Sequence, residues 1–344
     1  FDADGDGDLD LYVVSGGSEF SEMAPALVDR LYLNDGRGTF TKAEGALPRT
    51  SVSGSRVAAA DFDGDGDIDL FVGGRVVPWR YGLAPGSALL RNDGTGRFTD
   101  VTADVAPALA RIGMVTDALW EDADGDRRPD LVLVGEWMPV TIFRNQGATL
   151  APLETPGLEK SHGWWSRIVA GDFDGDGRTD FVAGNVGLNT RLRPSETEPV
   201  TLLVRDFDRN GFVEQILAHY DEGVAYPVPL RDDLLRAVPA MRARFPDYAS
   251  YARATLADVA GAPQDGDVVR SAYTFASALI RNHGDGRFSV EPLPLPAQLA
   301  PVHALLARDF DQDGALDLLL AGNFHGFRPE IGPMAASFGL FLRG

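Results

Sequence analysis

One nine-residue pattern, Asp-x-Asp-x-Asp-Gly-x-x-Asp, recurs six times and constrains the fold of this 344-residue chain more than any other feature. The copies are Asp2-Ala-Asp4-Gly-Asp6-Gly-Asp8-Leu-Asp10, Asp61-Phe-Asp63-Gly-Asp65-Gly-Asp67-Ile-Asp69, Asp122-Ala-Asp124-Gly-Asp126-Arg-Arg128-Pro-Asp130, Asp172-Phe-Asp174-Gly-Asp176-Gly-Arg178-Thr-Asp180, Asp206-Phe-Asp208-Arg-Asn210-Gly-Phe212-Val-Glu214 and Asp309-Phe-Asp311-Gln-Asp313-Gly-Ala315-Leu-Asp317. Oxygen-bearing side chains fall at positions 1, 3, 5 and 9 each time, and those residues are the expected metal ligands. Position 7 is chemically diverse (Asp8, Asp67, Arg128, Arg178, Phe212, Ala315), which suits a ligand supplied by the backbone carbonyl. Glycine at position 6 permits a sharp turn, and Arg127 replaces it in the third copy.

Calcium takes six to eight oxygens at short range, and alternate residues of a tight loop can aim carboxylates at one point. Asp and Gly dominate ordinary turns as well. Four or five acids packed into one loop repel one another, however, and a cation relieves that repulsion. Calcium, in up to six sites, is therefore the expected cofactor. Magnesium fits less well because it retains its waters.

The loops also explain the charge. The formal net charge is −20, and about half of the 51 acidic residues lie within the six copies. Six calcium ions would bring the net charge to about −8, an ordinary value for a soluble surface. The acidic balance argues against a nucleic-acid partner. Cysteine is absent, which excludes disulfides and thiolate chemistry in this stretch. No apolar run approaches the length of about 18 residues needed to span a membrane. The chain opens inside an Asp-rich loop without Met, and so reads as a piece of a longer protein with other domains.

Short apolar runs flank each loop, as in Val57-Ala-Ala-Ala60 before and Leu70-Phe-Val-Gly-Gly74 after the second. A second motif, Asn-x-Gly-x-Gly between apolar runs, appears at Leu31–Phe40, Leu89–Phe98 and Leu279–Phe288 and signals a tight hairpin. Strand, Asp loop, strand, connection, strand, hairpin, strand describes one antiparallel blade. The expected fold is thus an all-β propeller of four-stranded blades, about six of them whole or partial. The loops start 59, 61, 50, 34 and 103 residues apart, so the fifth breaks the period. It either starts a blade or joins Val200–Asp206 to Phe212–Leu217 as the last two strands of the preceding blade. A surplus around Arg231–Asp258, with Asp232, Asp233 and Asp247 as helix starters, reads as a helical insertion. The organisation expected is propeller over 1–226, helical insertion over 227–268 and propeller over 269–344, with the first and last blades incomplete.

These residues resemble the FG-GAP/VCBS repeat propellers, and more closely the bacterial secreted or outer-membrane group related to the CRTAC/ASPIC-UnbV proteins. The most specific pieces are Gly113–Trp120, Val134–Pro139, Gly163–Trp165, Ala183–Asn189, the helical insertion and Leu320–Gly332. The resemblance implies a calcium-binding propeller, integrin-α-like in design and seven-bladed in the parent chain. It also implies an extracellular, periplasmic or outer-membrane location and a role in protein or glycan binding or adhesion rather than catalysis. An enzyme on a propeller scaffold, acting on polysaccharide or as a quinoprotein dehydrogenase, is the alternative. Against it, the five histidines (His162, His219, His283, His303, His325) form no metal-ligand pair and no Gly-x-Ser-x-Gly elbow occurs. Trp164 and Trp165 are expected at a surface, Trp120 and Trp137 in the core. Glu136, Asn185, Asn189, Asn323, His325 and Glu330 either cluster on one face or cap turns.

Overall fold

The second strand of each unit shows why this sequence builds interleaved sheets. In Asp130–Met138 the run Leu131-Val-Leu-Val134 is fully buried, so both faces of the strand are covered. Successive side chains point to opposite faces. Leu131 and Leu133 pack with Phe62, Phe71 and Leu89 of the preceding sheet, whereas Val132 and Val134 pack with Trp165, Phe181 and Ile280 of the following one. The apolar core is accordingly divided into leaves between sheets.

The computed structural model describes residues 1–49, 52–327 and 331–344. It is mostly β, with six antiparallel sheets. The first contains Leu11–Val13, Arg30–Asn34 and Phe40–Lys42. The second contains Ser53–Ala60, Asp69–Val76, Ala88–Asn92 and Phe98–Asp100. The third contains Met114–Glu121, Asp130–Met138, Thr141–Asn145 and Leu150–Pro152, with Gly163–Trp164 added to it. The fourth contains Arg167–Gly171, Asp180–Gly184, Ala278–Asn282 and Phe288–Pro292, and the fifth contains Ala304–Arg308, Asp317–Ala321 and Leu340–Leu342. From the second sheet to the fifth, each first strand packs on the first strand of the next sheet, a propeller-like array.

The sixth sheet corrects the expected repeat. Its strands, Val200–Arg205, Glu214–Asp221, Val224–Pro227 and Val268–Ala272, leave the fourth sheet after its second strand and return before its third. The fifth Asp loop is therefore a hairpin, but within this inset sheet rather than at the end of the preceding blade. Both irregular spacings follow, and five sheets rather than six carry the blade pattern among the described residues. Short helices at Arg231–Ala237, Tyr248–Tyr251 and Leu256–Ala260 pack on the inset sheet through Leu234, Tyr251 and Val259. Asp247 caps its helix as expected, whereas Asp232 and Asp233 lie in the first turn after an uncapped Leu230.

Neighbouring sheets are stapled at both ends of their strands. In the second, third and fourth sheets the Asn that closes the third strand donates its side-chain amide to a backbone carbonyl in the preceding sheet's Asp loop: Asn92 to Ala3 (2.8 Å), Asn145 to Phe62 (2.7 Å) and Asn282 to Ala123 (2.9 Å). At the opposite strand ends, hydroxyls reach forward, Ser55 to the Val115 carbonyl (2.6 Å), Thr116 to Trp165 (2.8 Å) and Ser166 to Val302. Asn145 makes two further side-chain bonds, to Pro129 and from Gly147, so Asn145→Ala is expected to cost about 2–4 kcal/mol. Asn34 donates only to Leu9 in its own sheet, and Asn34→Ala should cost about 1 kcal/mol or less. Urea denaturation of both variants at fixed calcium checks the contrast.

Candidate metal centres and the opposite face

Every Asp loop is wound by its own carboxylates. In the second, the Asp61 carboxylate accepts from Gly64 (2.7 Å) and Gly66 (3.0 Å), and Asp65 accepts from Asp67 (3.0 Å). The loops at Asp2, Asp122, Asp172 and Asp309 repeat this arrangement. The winding needs positive φ at positions 4 and 6. Arg127 holds φ 70 where the other copies place glycine, and Arg209 and Gln312 hold φ 60 and 63 at position 4.

The position-9 acid is buried and serves two masters. Asp69 accepts from Phe62 in its own loop (3.4 Å) and from the Asn92 amide of the third strand (2.8 Å). Asp10, Asp130 and Asp180 bond in the same way to Asn34, Asn145 and Asn282, and Asp317 to Gly344. Burial raises the Asp69 carboxyl to about 7 and that of Asp130 to about 6, against the pull of these amides. Asp180 and Glu214 are raised by burial too, whereas the Gly344 and Phe310 amides hold Asp317 down.

Carboxylate oxygens from Asp61, Asp63 and Asp69 lie within 4.8 Å of one another, as do those of Asp122, Asp124 and Asp130, of Asp172, Asp174 and Asp180, and of Asp206, Asp208 and Glu214. In the first loop the group is Asp2, Asp4 and Asp6. A cation fits the first and second of these loops on one structural test. Buried oxygens of Asp4 and Asp63 have no hydrogen-bond partner, and both carboxyls are pushed up by burial and then by neighbouring carboxylates. The position-7 side chains differ: Arg128 and Arg178 pair with the position-5 acids Asp126 and Asp176. Asp8 and Asp67 lie beneath hairpin glycines Gly36 and Gly94, and the Arg178 side chain bonds the Asn282 carbonyl.

Sequence reasoning missed the arginine that pairs with the position-3 acid in four of the loops. Arg91 pairs with Asp63 (2.8 Å), Arg144 with Asp124 (2.6 Å), Arg281 with Asp174, and Arg343 with Asp311 (2.7 Å). The signal was present as Arg91-Asn92, Arg144-Asn145 and Arg281-Asn282. In the first sheet Leu33 takes this place, and the Asp4 oxygen is left without a partner.

The far strand ends line a cavity of about 670 Å³ together with residues of the inset sheet and Phe324 and Phe327. Glu136 and Asn185 line it, as does Trp164. Trp165, expected at the surface, is instead completely buried and donates to the Ser161 carbonyl, while Trp137 is buried as expected. Trp120 is partly buried and stacks on Phe62. Asn189 and Asn323 make loop contacts with Leu299 and Ser337, His325 is exposed, and Glu330 lies outside the described residues.

Residues 2–72 and 122–183 match the profile of the FG-GAP-like repeat. No curated protein matches this chain. Among solved structures it is similar to an Agrocybe aegerita lectin described as specifically recognising non-reducing terminal N-acetylglucosamine, at 17% identity over 97% of this chain and 79% of that one, TM-score 0.33. It is also similar to the V. cholerae biofilm matrix protein Bap1, at 12% identity over 94% of this chain and 66% of that one, TM-score 0.30. At these TM-scores neither likeness bears on fold or function.

An ion at position 3 must compete with the guanidinium that already pairs there. Arg144→Leu is therefore expected to tighten calcium binding at the third loop by about tenfold while lowering the calcium-free melting temperature. Calorimetric titration and a chelated melt read the two effects.

Proposed function

We propose that this chain is a calcium-stabilised FG-GAP-like propeller module that works outside the cytoplasm and binds a protein or glycan on one face. The observation that carries the reading is the recurrent loop in which three acids converge and, at Asp4 and Asp63, a buried oxygen lacks any partner. The ligands assigned are positions 1, 3, 5 and 9, together with the backbone carbonyl of position 7. The role of the ion is structural. It neutralises carboxylates that burial otherwise drives toward protonation, and it rigidifies the turn that joins each first and second strand. In the fifth loop the ion would brace the inset sheet instead.

Acidic residues tied up in such loops are poor acid catalysts, which supports a non-enzymatic role. Extracellular modules bind calcium at about 10⁻⁴ to 10⁻³ M, a range that suits secretion, the periplasm or the outer-membrane surface. The finer placement in the CRTAC/ASPIC-UnbV-like group rests on the sequence pieces quoted above, and seven blades in the parent chain is part of it. Among the described residues no helix is long and apolar enough to cross a membrane.

Ions that bind only the native state raise its stability by linkage, by about 2.7 kcal/mol per site at a hundredfold excess over Kd. Chelating calcium is expected to lower the melting temperature by about 5–10 °C, reversibly on adding calcium back. An unchanged melting temperature would contradict the calcium reading.

A further inference from the structure

The cavity joins an aromatic wall to an unbalanced charge cluster, at the strand ends opposite the blade Asp loops. Trp164 is the centre of the wall, with the rings of Phe275 at 4.5 Å, Trp137 at 5.1 Å and Phe327 at 6.2 Å. Its indole nitrogen is buried without an acceptor. Arg75 and Tyr81 each hold one oxygen of Glu136 at 2.5 Å, and the Trp137 indole donates to Tyr81 at 2.8 Å. Beneath them Asp117, buried, is shared by Arg56 (2.8 Å) and Arg167 (3.8 Å).

Among the described residues three guanidiniums thus face two carboxylates at this end of a chain whose net charge is −20. Arg75 and Arg167 both line the cavity. The excess of one positive charge is a local reversal of the protein's field, and it suits one anionic group rather than a polyanion. The neutral lining is amphiphilic. The Ser55 and Ser166 hydroxyls donate to backbone carbonyls, which leaves their lone pairs to accept from ligand hydroxyls. The His303 ring makes no hydrogen bond among the described residues and is free to give or take one. A volume of about 670 Å³ falls among small-ligand pockets, typically about 300–1,000 Å³.

We propose that this cavity binds the carboxylated end of a saccharide, a uronic-acid residue whose apolar face lies on the Trp164 wall and whose carboxylate meets Arg75 and Arg167. This inference rests on the reading of the chain as a binding module and names the ligand class and the face. An aromatic face packs on a pyranose ring, and the arginine fork matches a carboxylate.

The test uses the full chain in calcium, with tryptophan fluorescence and calorimetry reading the binding of glucuronic acid, glucose and benzoate. Saturable glucuronate binding, at least about tenfold tighter than glucose, is expected, with a similar loss in Arg75→Gln. Phe327→Ala, in the partly exposed lining, should weaken binding even if Arg75→Gln proves unstable, and Trp79→Ala, an exposed tryptophan outside the cavity, should leave it unchanged. Equal binding of glucose would overturn the charge assignment, and preferred binding of benzoate would overturn the saccharide. No binding of glucuronate alongside an intact calcium-dependent melt would overturn this inference alone, whereas loss of the calcium effect would strike the module reading itself.

Discussion

The structure depends on one buried carboxylate in each of the five blade sheets, the acid at position 9 of the Asp loop. Its two oxygens accept from two chain segments that are distant in sequence, the loop itself and the Asn that ends the third strand. Buried acceptors of this kind are costly to leave unpaired, so the pairing fixes where the third strand stops against the first turn. The same Asn then uses its side chain to hold the loop of the preceding sheet. Asp loop, strand register and sheet-to-sheet contact are thereby one connected piece of hydrogen bonding.

Two belts follow from this, with an apolar layer between them. The Asn staples run along the loop end and the Ser and Thr staples along the other, while Phe, Leu and Val leaves fill the space between sheets. The charge is segregated in the same way. Concentrated negative charge sits at the loop end of the blades, where a cation can settle it, and the arginine-rich cluster sits at the cavity end. A module built like this can use ions for rigidity at one face and keep the other for a ligand.

Much of the blade was legible because its chemistry is local. The carboxylate spacing, the positive-φ glycines and the fully apolar second strands each report on a few neighbouring residues. What escaped required long-range information. Asn92 reads as a hairpin residue until Ala3, far back in the chain, is seen to accept from it, and Arg144 reads as a strand polar residue until Asp124 is placed beside it. The fourth hairpin, Asn145-Gln-Gly147, lacks the second glycine of its counterparts and went unnoticed. The inset sheet was misplaced because a hairpin between Val200–Arg205 and Glu214–Asp221 is locally the same whichever sheet it joins. Trp165 was expected outside because sequence shows its neighbours Gly163 and Trp164 but not the Val134 and Phe181 that enclose it.

Hydrogen exchange with and without calcium tests most directly whether the Asp loops and the staples act as one unit. The account predicts that calcium slows exchange at the loop amides of Gly64 and Gly66 and also at the Asn92, Asn145 and Asn282 amides that bond the position-9 acids. Protection confined to the loops, with the Asn amides exchanging at the calcium-free rate, would contradict it.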